Sequence, residues 1–406
     1  MDRLTLLALT TSYPLRAHSS AGVFIARLYQ ALPPVWSVDV LCPSDNAADS
    51  DARPERDVDA GSRVRLRPLR YAPRRWRVVA QQSGGVVSGL KRAPWRLLLL
   101  PLLFGAMAWR ALLGARRADL IHANWAICGA IAAPVARISR RPLVTTFRGD
   151  DVVRAERSRV DRWLLQLAVR GSRAIVCVSA AMADDLRRLY PERAGDIHVC
   201  LNGVDAGFSA QAGLRVPGRK LRIAGVGSLI PRKGFDVLLQ ALARLPPSLE
   251  WELCVVGAGP EGERLVQLAE SLGIAERVRW AGALPPAEIP GVLGKADLFV
   301  LASHSEGRPN ALIEAIAAGL PVISTALPGV AGLVDAGVSG WLVASGDIAG
   351  LHEALLQACG DRAELARRAA ATRQRLPRAC HDWATTGRCY DAAFRAVLAA
   401  CRKSSS

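Results

Sequence analysis

Short apolar runs alternate with helix-patterned segments along nearly the whole chain, and the alternation restarts once. Leu4–Thr10, Ser37–Cys42, Asp119–His122, Leu143–Phe147, Ala174–Val178 and His198–Leu201 are each brief, apolar and bounded by turn or polar residues. Buried parallel strands look like this because both of their faces are covered. The second series runs through Leu221–Val226, Trp251–Val256, Val278–Ala281, Leu298–Leu301 and Pro321–Ser324, with helical patterns such as Asp236–Arg244 and Gly262–Leu272 between strands. Repeated β-α alternation predicts an α/β chain with two open parallel sheets, each covered by helices on both faces. The break falls at Ala206–Arg219, a polar stretch containing Gly and Pro. At 406 residues the chain exceeds what one core usually holds, so two domains fit its size. The reading places them at 1–205 and 220–375, with a linker at 206–219 and a helical tail at 376–406.

Half the residues are apolar and 22% are charged, which excludes a wholly disordered chain. Nine cysteines at irregular spacing, with no CxxC pair, make neither a disulfide scaffold nor a zinc site. A reduced, cytoplasmic protein is the expectation. The apolar stretch Leu4–Leu9 is too short for a signal segment. Leu97–Trp109 is short of a membrane span, and Leu120–Ala136 and Ala315–Val334 carry breakers, so no transmembrane helix is expected.

The net charge is +17 and lies mainly in the first half: +13 up to Asp205 against +4 beyond it. Between Ala60 and Ala118 there are 13 basic residues and no acidic one. Arg63, Arg65, Arg67, Arg70, Arg74, Arg75 and Arg77 surround Trp76, and Lys91, Arg92, Trp95 and Arg96 lead into the Leu97–Trp109 run. Basic residues interleaved with Trp beside an apolar helix suit an anionic membrane surface. The plainer alternative is a solvated basic face over a core helix. No nucleic-acid-binding motif accompanies the charge, so a nucleic-acid partner is not expected.

Ligands of open parallel sheets bind at the carboxyl ends of the strands, so the chemistry belongs in strand-to-helix loops. Gly225 to Gly234 is one such loop. Its glycines, among them Gly227, allow close backbone approach, and Arg232 and Lys233 add positive charge where a helix begins. That suits a diphosphate, although a tight turn with two solvated cations reads the same way. Gly257 and Gly259 follow the next strand and favour turn geometry, with close ligand approach as an addition.

The segment Ser303 to Glu314 is the most informative. Pro309 suits a first helical turn, and Gly319 with Pro321 ends the helix. Glu314 is the sole polar side chain between Ala311 and Ala318, where a carboxylate costs several kcal/mol, roughly, unless it is hydrogen-bonded. Vicinal hydroxyls, as on ribose, meet that need; an arginine is the alternative. Glu306 lies before the helix among Ser, His and Gly, placed to accept sugar hydroxyls.

These motifs, in this order, resemble the retaining glycosyltransferases of family four, and the likeness extends over nearly the whole chain. Glu306 and Glu314 match the family's paired glutamates, Gly227 to Gly234 its phosphate loop, Val256 to Pro260 its Val-Gly-x-Gly-Pro turn, and Asn202-Gly203-Val204-Asp205 the motif closing its N-terminal domain. The resemblance implies the GT-B fold: two facing Rossmann-like parallel-sheet domains with an interdomain cleft. It implies that Lys233 binds the diphosphate of a nucleotide sugar, Glu314 the ribose and Glu306 the transferred sugar. Backbone N–H groups from Gly307 through Arg308 and Pro309 to Asn310 and Ala311 line the sugar or β-phosphate, although proline itself offers none. Gly22 resembles the glycine loop near the phosphates, and the tail with Trp383 resembles the helix that crosses back to the first domain. No metal and no other cofactor is implied.

Three positions depart from the family pattern. Ser228 stands where an Arg is usual, with Arg232 as a substitute, and Gly332 stands where a Glu is frequent. In Thr146-Phe147-Arg148-Gly149-Asp150, Arg148 replaces a His. Arginine does not act as a base near neutral pH, so Arg148 is expected to orient the sugar or stabilise leaving charge. His122 is a candidate acceptor-side residue or a satisfied structural histidine. Asp150 and Asp151 suit acceptor hydroxyls or a helix cap. The expected activity is transfer of a hexose from a UDP- or GDP-sugar to a lipid-linked or cell-surface glycan at the inner membrane face. The alternatives are a soluble GT-B synthase and a non-catalytic nucleotide-sugar-binding subunit.

Overall fold

The structure, a computed structural model, describes residues 3–14, 22–45, 63–79, 94–148, 151–210, 218–379 and 381–403. The chain divides into two units, 1–202 with 383–406, and 203–382.

The first unit contains β1 (Leu4–Leu9), α1 (Val23–Ala31), β2 (Trp36–Pro43), β3 (Val64–Leu69), α2 (Leu100–Ala115), β4 (Leu120–Asn124), α3 (Trp125–Ser139), β5 (Leu143–Phe147), α4 (Asp151–Arg157), α5 (Arg159–Gly171), β6 (Ala174–Cys177), α6 (Ala180–Leu189) and β7 (Ile197–Val199). All seven strands are parallel, in the order β3-β2-β1-β4-β5-β6-β7. Local chemistry starts several helices. Ser158 accepts from the Asp161 N–H at 3.2 Å to open α5, and Ser179 accepts from the Met182 N–H at 3.3 Å to open α6.

The second unit holds α7 (Ala206–Ser209), β8 (Leu221–Val226), α8 (Phe235–Ala243), β9 (Trp251–Val256), α9 (Gly262–Ser271), β10 (Val278–Gly282), α10 (Ile289–Lys295), β11 (Leu298–Leu301), α11 (Asn310–Ala317), β12 (Val322–Thr325), β13 (Gly340–Val343), α12 (Ile348–Gly360) and α13 (Arg362–Ala379). Its six strands run parallel in the order β10-β9-β8-β11-β12-β13. Counted from its own first strand, this is 3-2-1-4-5-6, the doubly wound Rossmann order, and the first six strands of the other unit share it. In such a sheet the chain changes winding direction between two central strands, and a crevice opens above their carboxyl ends. Here those strands are β8 and β11 in one unit and β1 and β4 in the other. A core lies on each face of the second sheet, one built around Trp251, Leu238 and Leu355 and the other around Phe299, Leu312 and Ile316.

Two strands escaped the sequence reading. The arginine-rich stretch after Arg63 is not merely a charged face: it forms β3, an edge strand paired to β2 with Arg65 and Arg67 exposed. Charge on an edge strand discourages pairing with another chain, and here it hid the period-two pattern. The four residues of β13 lie between a turn at 337–339 and Ala344, too short to register.

The Leu97–Trp109 run is part of a longer element. The 3-10 turn Pro94–Leu99 leads straight into α2, and Trp95–Ala115 is long and apolar enough, by length and composition, to cross a membrane. The apolar segment is thus longer than the run read from sequence. Yet Leu103, Met107, Ala111 and Ala115 are fully buried in the core formed with Leu7, Leu9 and Ile121, so α2 is a covering helix of the sheet.

The last helix, α14 (Trp383–Lys403), belongs to the first unit. Tyr390, Phe394 and Val397 share a core with Ile25, Leu28 and Tyr29 of α1. Trp36 Nε1 donates to Asp391 Oδ1 at 2.6 Å. A disulfide joins Cys200 to Cys389, with Cα atoms 5.8 Å apart. This corrects the expectation of a wholly reduced chain. The partners are 189 residues apart, so no spacing rule reveals them.

Candidate functional site

The loops after β8 and β11 meet at the winding switch of the second sheet, and they bring Lys233 to Glu306. Gly227 opens the first loop and bonds through its N–H to the Val256 carbonyl at 2.9 Å. Gly257, at φ 147°, faces it so closely that a Cβ there would strike the Gly227 carbonyl oxygen. Close packing of two loops is thus sufficient reason for glycine at 257, and the turn-geometry reading of Gly257 is the one seen. The loop then forms a 3-10 turn, Pro231–Lys233, which ends at Gly234 and feeds α8.

Lys233 Nζ donates to Glu306 Oε1 at 2.5 Å, and Ser303 Oγ donates to the same oxygen at 2.8 Å. Arg232 Nη1 lies 3.7 Å from Glu306 Oε2 and donates to the Ser305 carbonyl at 2.8 Å. The Arg232 carbonyl accepts from the His304 N–H at 2.8 Å, which ties the two loops by their backbones. Burial by itself raises the Glu306 carboxyl, but the Lys233 and Arg232 charges and the Lys233 and Ser303 hydrogen bonds outweigh it and hold the group below its ordinary value. Glu306 is therefore an anion at neutral pH. Arg232 supplies charge beside Lys233, as expected where Ser228 replaces a cation.

Two further contacts hold this loop. Thr325 Oγ1, at the end of β12, donates to the Ser303 carbonyl at 2.7 Å. Gly329, in the turn Pro328–Val330, lies so near the Glu306 and Gly307 carbonyls that a Cβ would collide with both. Gly307, Arg308 and Pro309 complete the loop, and Asn310 and Ala311 begin α11. The N-cap residue is Pro309, whose side chain makes no capping bond. The first N–H groups and the dipole of α11 offer an anion-binding end beside Lys233 and Arg232.

Glu314 lies one turn further along α11, only partly exposed. Among the described residues no side chain hydrogen-bonds or ion-pairs with its carboxylate, so the arginine alternative is not what the structure shows. Burial, and then the neighbouring Asp205 carboxylate, push its pKa up to about 7. Among the described residues it is an acceptor without a side-chain donor, on a helix that buries Leu312, Ile313, Ala315, Ile316 and Ala317.

In the first unit the switch-point residues form a closed network. Arg148, at the end of β5, donates through Nε to Asn124 Oδ1 at 2.8 Å, through Nη1 to Asn202 Oδ1 at 3.1 Å and through Nη2 to the Tyr390 hydroxyl at 3.3 Å. Its guanidinium also lies over the rings of Phe24 and Tyr390, at 5.3 and 5.8 Å. Arg148, expected to orient the sugar or stabilise leaving charge, here uses three of its five N–H donors to tie β4, Asn202 and α14 together inside this unit. His122 is fully buried; Nδ1 is 2.9 Å from the Tyr29 hydroxyl and Nε2 is 2.8 Å from Thr146 Oγ1. Burial, and then Arg148, keep its pKa well below the ordinary value, so the ring is neutral. His122 is the satisfied structural histidine and not an acceptor-side residue. Asp151, also buried, accepts from the Ala126 N–H at 3.1 Å, which caps α3; Asp150 lies outside the described residues. Gly22 precedes α1, while most of its loop lies outside the described residues. Trp125 opens α3 at φ 69° and packs edge-on against Phe24 at 6.3 Å.

Residues 21–208 match the family described as Glycosyltransferase Family 4, and residues 210–375 match Glycosyl transferases group 1. D-inositol 3-phosphate glycosyltransferase 1 of Catenulispora acidiphila is 30% identical over 338 residues, covering 76% of this chain and 81% of that protein. This chain belongs to glycosyltransferase family 4. The family-4 chain is also 31% identical over 280 residues to glycogen synthase of Mycobacterium tuberculosis, covering 66% of each. It is 31% identical over 252 residues to the putative colanic acid biosynthesis glycosyltransferase WcaL of Salmonella typhimurium, covering 59% of this chain and 61% of that protein. It thus spans just under two thirds of the length of these two curated relatives. Among solved structures, sucrose-phosphate synthase from Thermosynechococcus elongatus superposes with a TM-score of 0.78 at 20% identity, covering 98% of this chain and all of that one. HepE from Anabaena, in complex with UDP and glucose, gives 0.73 at 22% identity, covering 97% of this chain and all of that one. These likenesses establish the GT-B fold.

Some residues of this candidate site in the family-4 chain left a trace in the sequence and others did not. Ser303 stands in the informative segment, but its bond to Glu306 depends on the loop's path. Thr325 and Gly329 follow a different strand and carry no local signal. Asp205 belongs to the Asn-Gly-Val-Asp motif, yet only folding sets it beside Glu314.

Proposed function

We propose that this chain is a retaining hexosyltransferase that moves a sugar from a UDP- or GDP-sugar to a lipid-linked or cell-surface glycan. The observation that carries the reading is the convergence of Lys233, Arg232, the N-terminus of α11 and the two carboxylates Glu306 and Glu314 at one winding switch. An anion with a pentose and a hydroxylated sugar attached is complementary to that set. HepE's UDP and glucose are consistent with such a donor, and WcaL's assignment to colanic acid biosynthesis is consistent with a glycan acceptor.

In this mechanism the bond between the anomeric carbon and the diphosphate oxygen breaks. Negative charge grows on the leaving oxygen, where Lys233, Arg232 and the α11 N-terminus stabilise it. The ion pair seen between Lys233 and Glu306 exchanges partners: Lys233 turns to the diphosphate and Glu306 accepts from sugar hydroxyls. The diphosphate then takes the place of Glu306 as the anionic partner of Lys233. Glu314 accepts from the ribose hydroxyls. The acceptor hydroxyl attacks from the face the diphosphate leaves, and its proton passes to a departing phosphate oxygen, so no protein base is needed. Charge neutralisation falls to these side chains, and no step calls for a metal. A lipid-linked acceptor suits the basic, tryptophan-bearing surface of the first unit, which favours an anionic membrane.

The test is incubation with UDP- and GDP-hexoses and a lipid-linked saccharide, reading released nucleoside diphosphate and the anomeric configuration of the product. Turnover with retention supports the proposal. Donor binding without release of nucleoside diphosphate from any donor, or an inverted product, overturns it.

A further inference from the structure

The helix α2 is packed on one side and bare on the other. Opposite its buried face, Leu98, Leu102, Trp109 and Leu113 follow one another at offsets of four, seven and four residues, which at 3.6 residues per turn makes a single stripe. Leu98 is 79% and Trp109 60% exposed. The turn before the helix adds exposed Trp95 and Leu97. From Trp95 to Ala115 the charged residues are Arg96 and Arg110, with no carboxylate. Monomeric surfaces rarely leave so continuous an apolar strip in water.

Positive charge frames the strip. Tyr71 and Val79 share a core with Leu99 and Leu103, which places the turn Arg74–Trp76 beside the start of the helix. Arg74, Arg75 and Trp76 are exposed there, and Arg75 lies 5.6 Å from the Trp76 ring centroid. Arg96 lies 6.0 Å from the Trp95 centroid. Arg116 and Arg117 are exposed at the other end.

Three occupants fit an apolar strip, and the surroundings choose between them. A bilayer crossing is incompatible with Leu103, Met107, Ala111 and Ala115 buried against the sheet. A second copy of the chain, in a two-fold contact, sets the arginine frame against its own mate. An anionic leaflet satisfies both parts: acyl chains cover the leucines, the Trp rings sit at the headgroup level, and the arginines meet lipid phosphates.

We infer that the bare face of α2 and its leading turn is a monotopic insertion surface, holding the first unit in one leaflet of an anionic bilayer. This deepens the lipid-linked acceptor reading, but it is read by binding and needs no turnover. It also differs from adsorption by charge alone. Salt screens the arginine contacts, whereas buried apolar area persists at high ionic strength.

The experiment is co-sedimentation of the full chain with phosphatidylcholine vesicles containing about one-third phosphatidylglycerol, at low salt and at about 0.5 M salt. Quenching of tryptophan fluorescence by lipids brominated in their acyl chains is measured alongside. The inference expects binding at low salt, a substantial fraction still bound at high salt, and quenching. Leu98→Gln with Leu102→Gln, both surface positions, lowers the high-salt bound fraction at least about tenfold; Arg74→Gln with Arg75→Gln acts mainly at low salt. Full release at high salt without quenching overturns the inference. So does a lipid-free dimer that the leucine pair dissociates, since a second copy then covers the strip. Nucleoside diphosphate affinity and turnover on a water-soluble acceptor are followed in the same variants. If vesicle binding fails while turnover persists, the insertion surface falls and the reaction stands; if turnover is absent while insertion holds, the reverse is true.

Discussion

Lys233 and Glu306 reach each other across the winding switch, from loops 73 residues apart, with Nζ 2.5 Å from Oε1. The pair is largely buried, with 16% of the Lys233 and 7% of the Glu306 side chain exposed. Such pairs contribute little net stability when intact, because desolvation offsets most of the attraction, yet breaking one side leaves a costly lone charge. Lys233 and Glu306 thus neutralise each other here, and the proposed reaction requires them to part.

Removing the cation tests that arrangement. Lys233→Ala strands the Glu306 anion, so stability falls by about 3 kcal/mol. Nucleoside diphosphate affinity falls by roughly a hundredfold through loss of the charge-assisted contact. Glu306→Gln keeps the lysine and is expected to spare diphosphate affinity while lowering turnover. Calorimetric titration and initial rates separate the two; equal loss of affinity in both variants contradicts the assigned roles.

Glu314 sets a pH dependence. With its pKa near 7 the carboxyl is partly protonated at neutral pH, and only the anion accepts both ribose hydroxyls. Affinity for a nucleoside diphosphate should rise about tenfold between roughly pH 6 and 8 from this group. Glu314→Gln flattens that component and leaves only the ligand's own titration. An unchanged slope in the variant removes Glu314 from the binding site.

The same shift has a consequence for folding. The folded pKa is raised from 4.5 to about 7, so in that window the folded chain holds a proton that the unfolded chain has released. The stabilisation is complete below about pH 4.5 and is lost as pH rises through 7, on the order of 3 kcal/mol in all. Glu314→Gln should therefore be more stable than the parent at pH 8, and the difference should shrink at pH 5. Denaturant melts at the two pH values measure it.

Arg148 is expected to act through structure. Arg148→Met leaves Asn124, Asn202 and Tyr390 each short of a partner, at about 1–3 kcal/mol for a buried orphan. Urea unfolding should show a lower midpoint. Nucleoside diphosphate affinity should stay unchanged, because every named Arg148 contact lies in the first unit. A selective loss of affinity with an unchanged midpoint restores Arg148 to a donor-binding role.

The Cys200–Cys389 bond fastens α14 to the strand end that precedes Asn202. Cross-links of this kind typically contribute about 2–4 kcal/mol. Reduction, or Cys389→Ser, should lower the melting temperature by several degrees, about 2–4 °C per kcal/mol for large domains. The expected result is a lower transition with no change in nucleoside diphosphate affinity, read by thermal denaturation with and without reductant.

The alternation of apolar strands with helical patterns fixed two parallel sheets, because a buried strand and an amphipathic helix each carry their period within a few residues. The glycine loop before α8, and the carboxylate alone on an apolar helix, were legible for the same reason: a costly residue in a short window demands a local explanation. Partnerships across the fold were not legible. Whether Lys233 meets Glu306, whether Glu314 finds an arginine or Asp205, and whether His122 and Arg148 face a ligand or each other's neighbours all depend on strand order at the winding switch. The bare face of α2 escaped for a related reason. Both faces of that helix are apolar, and sequence shows composition, whereas only packing against a sheet decides which side is left to the surroundings.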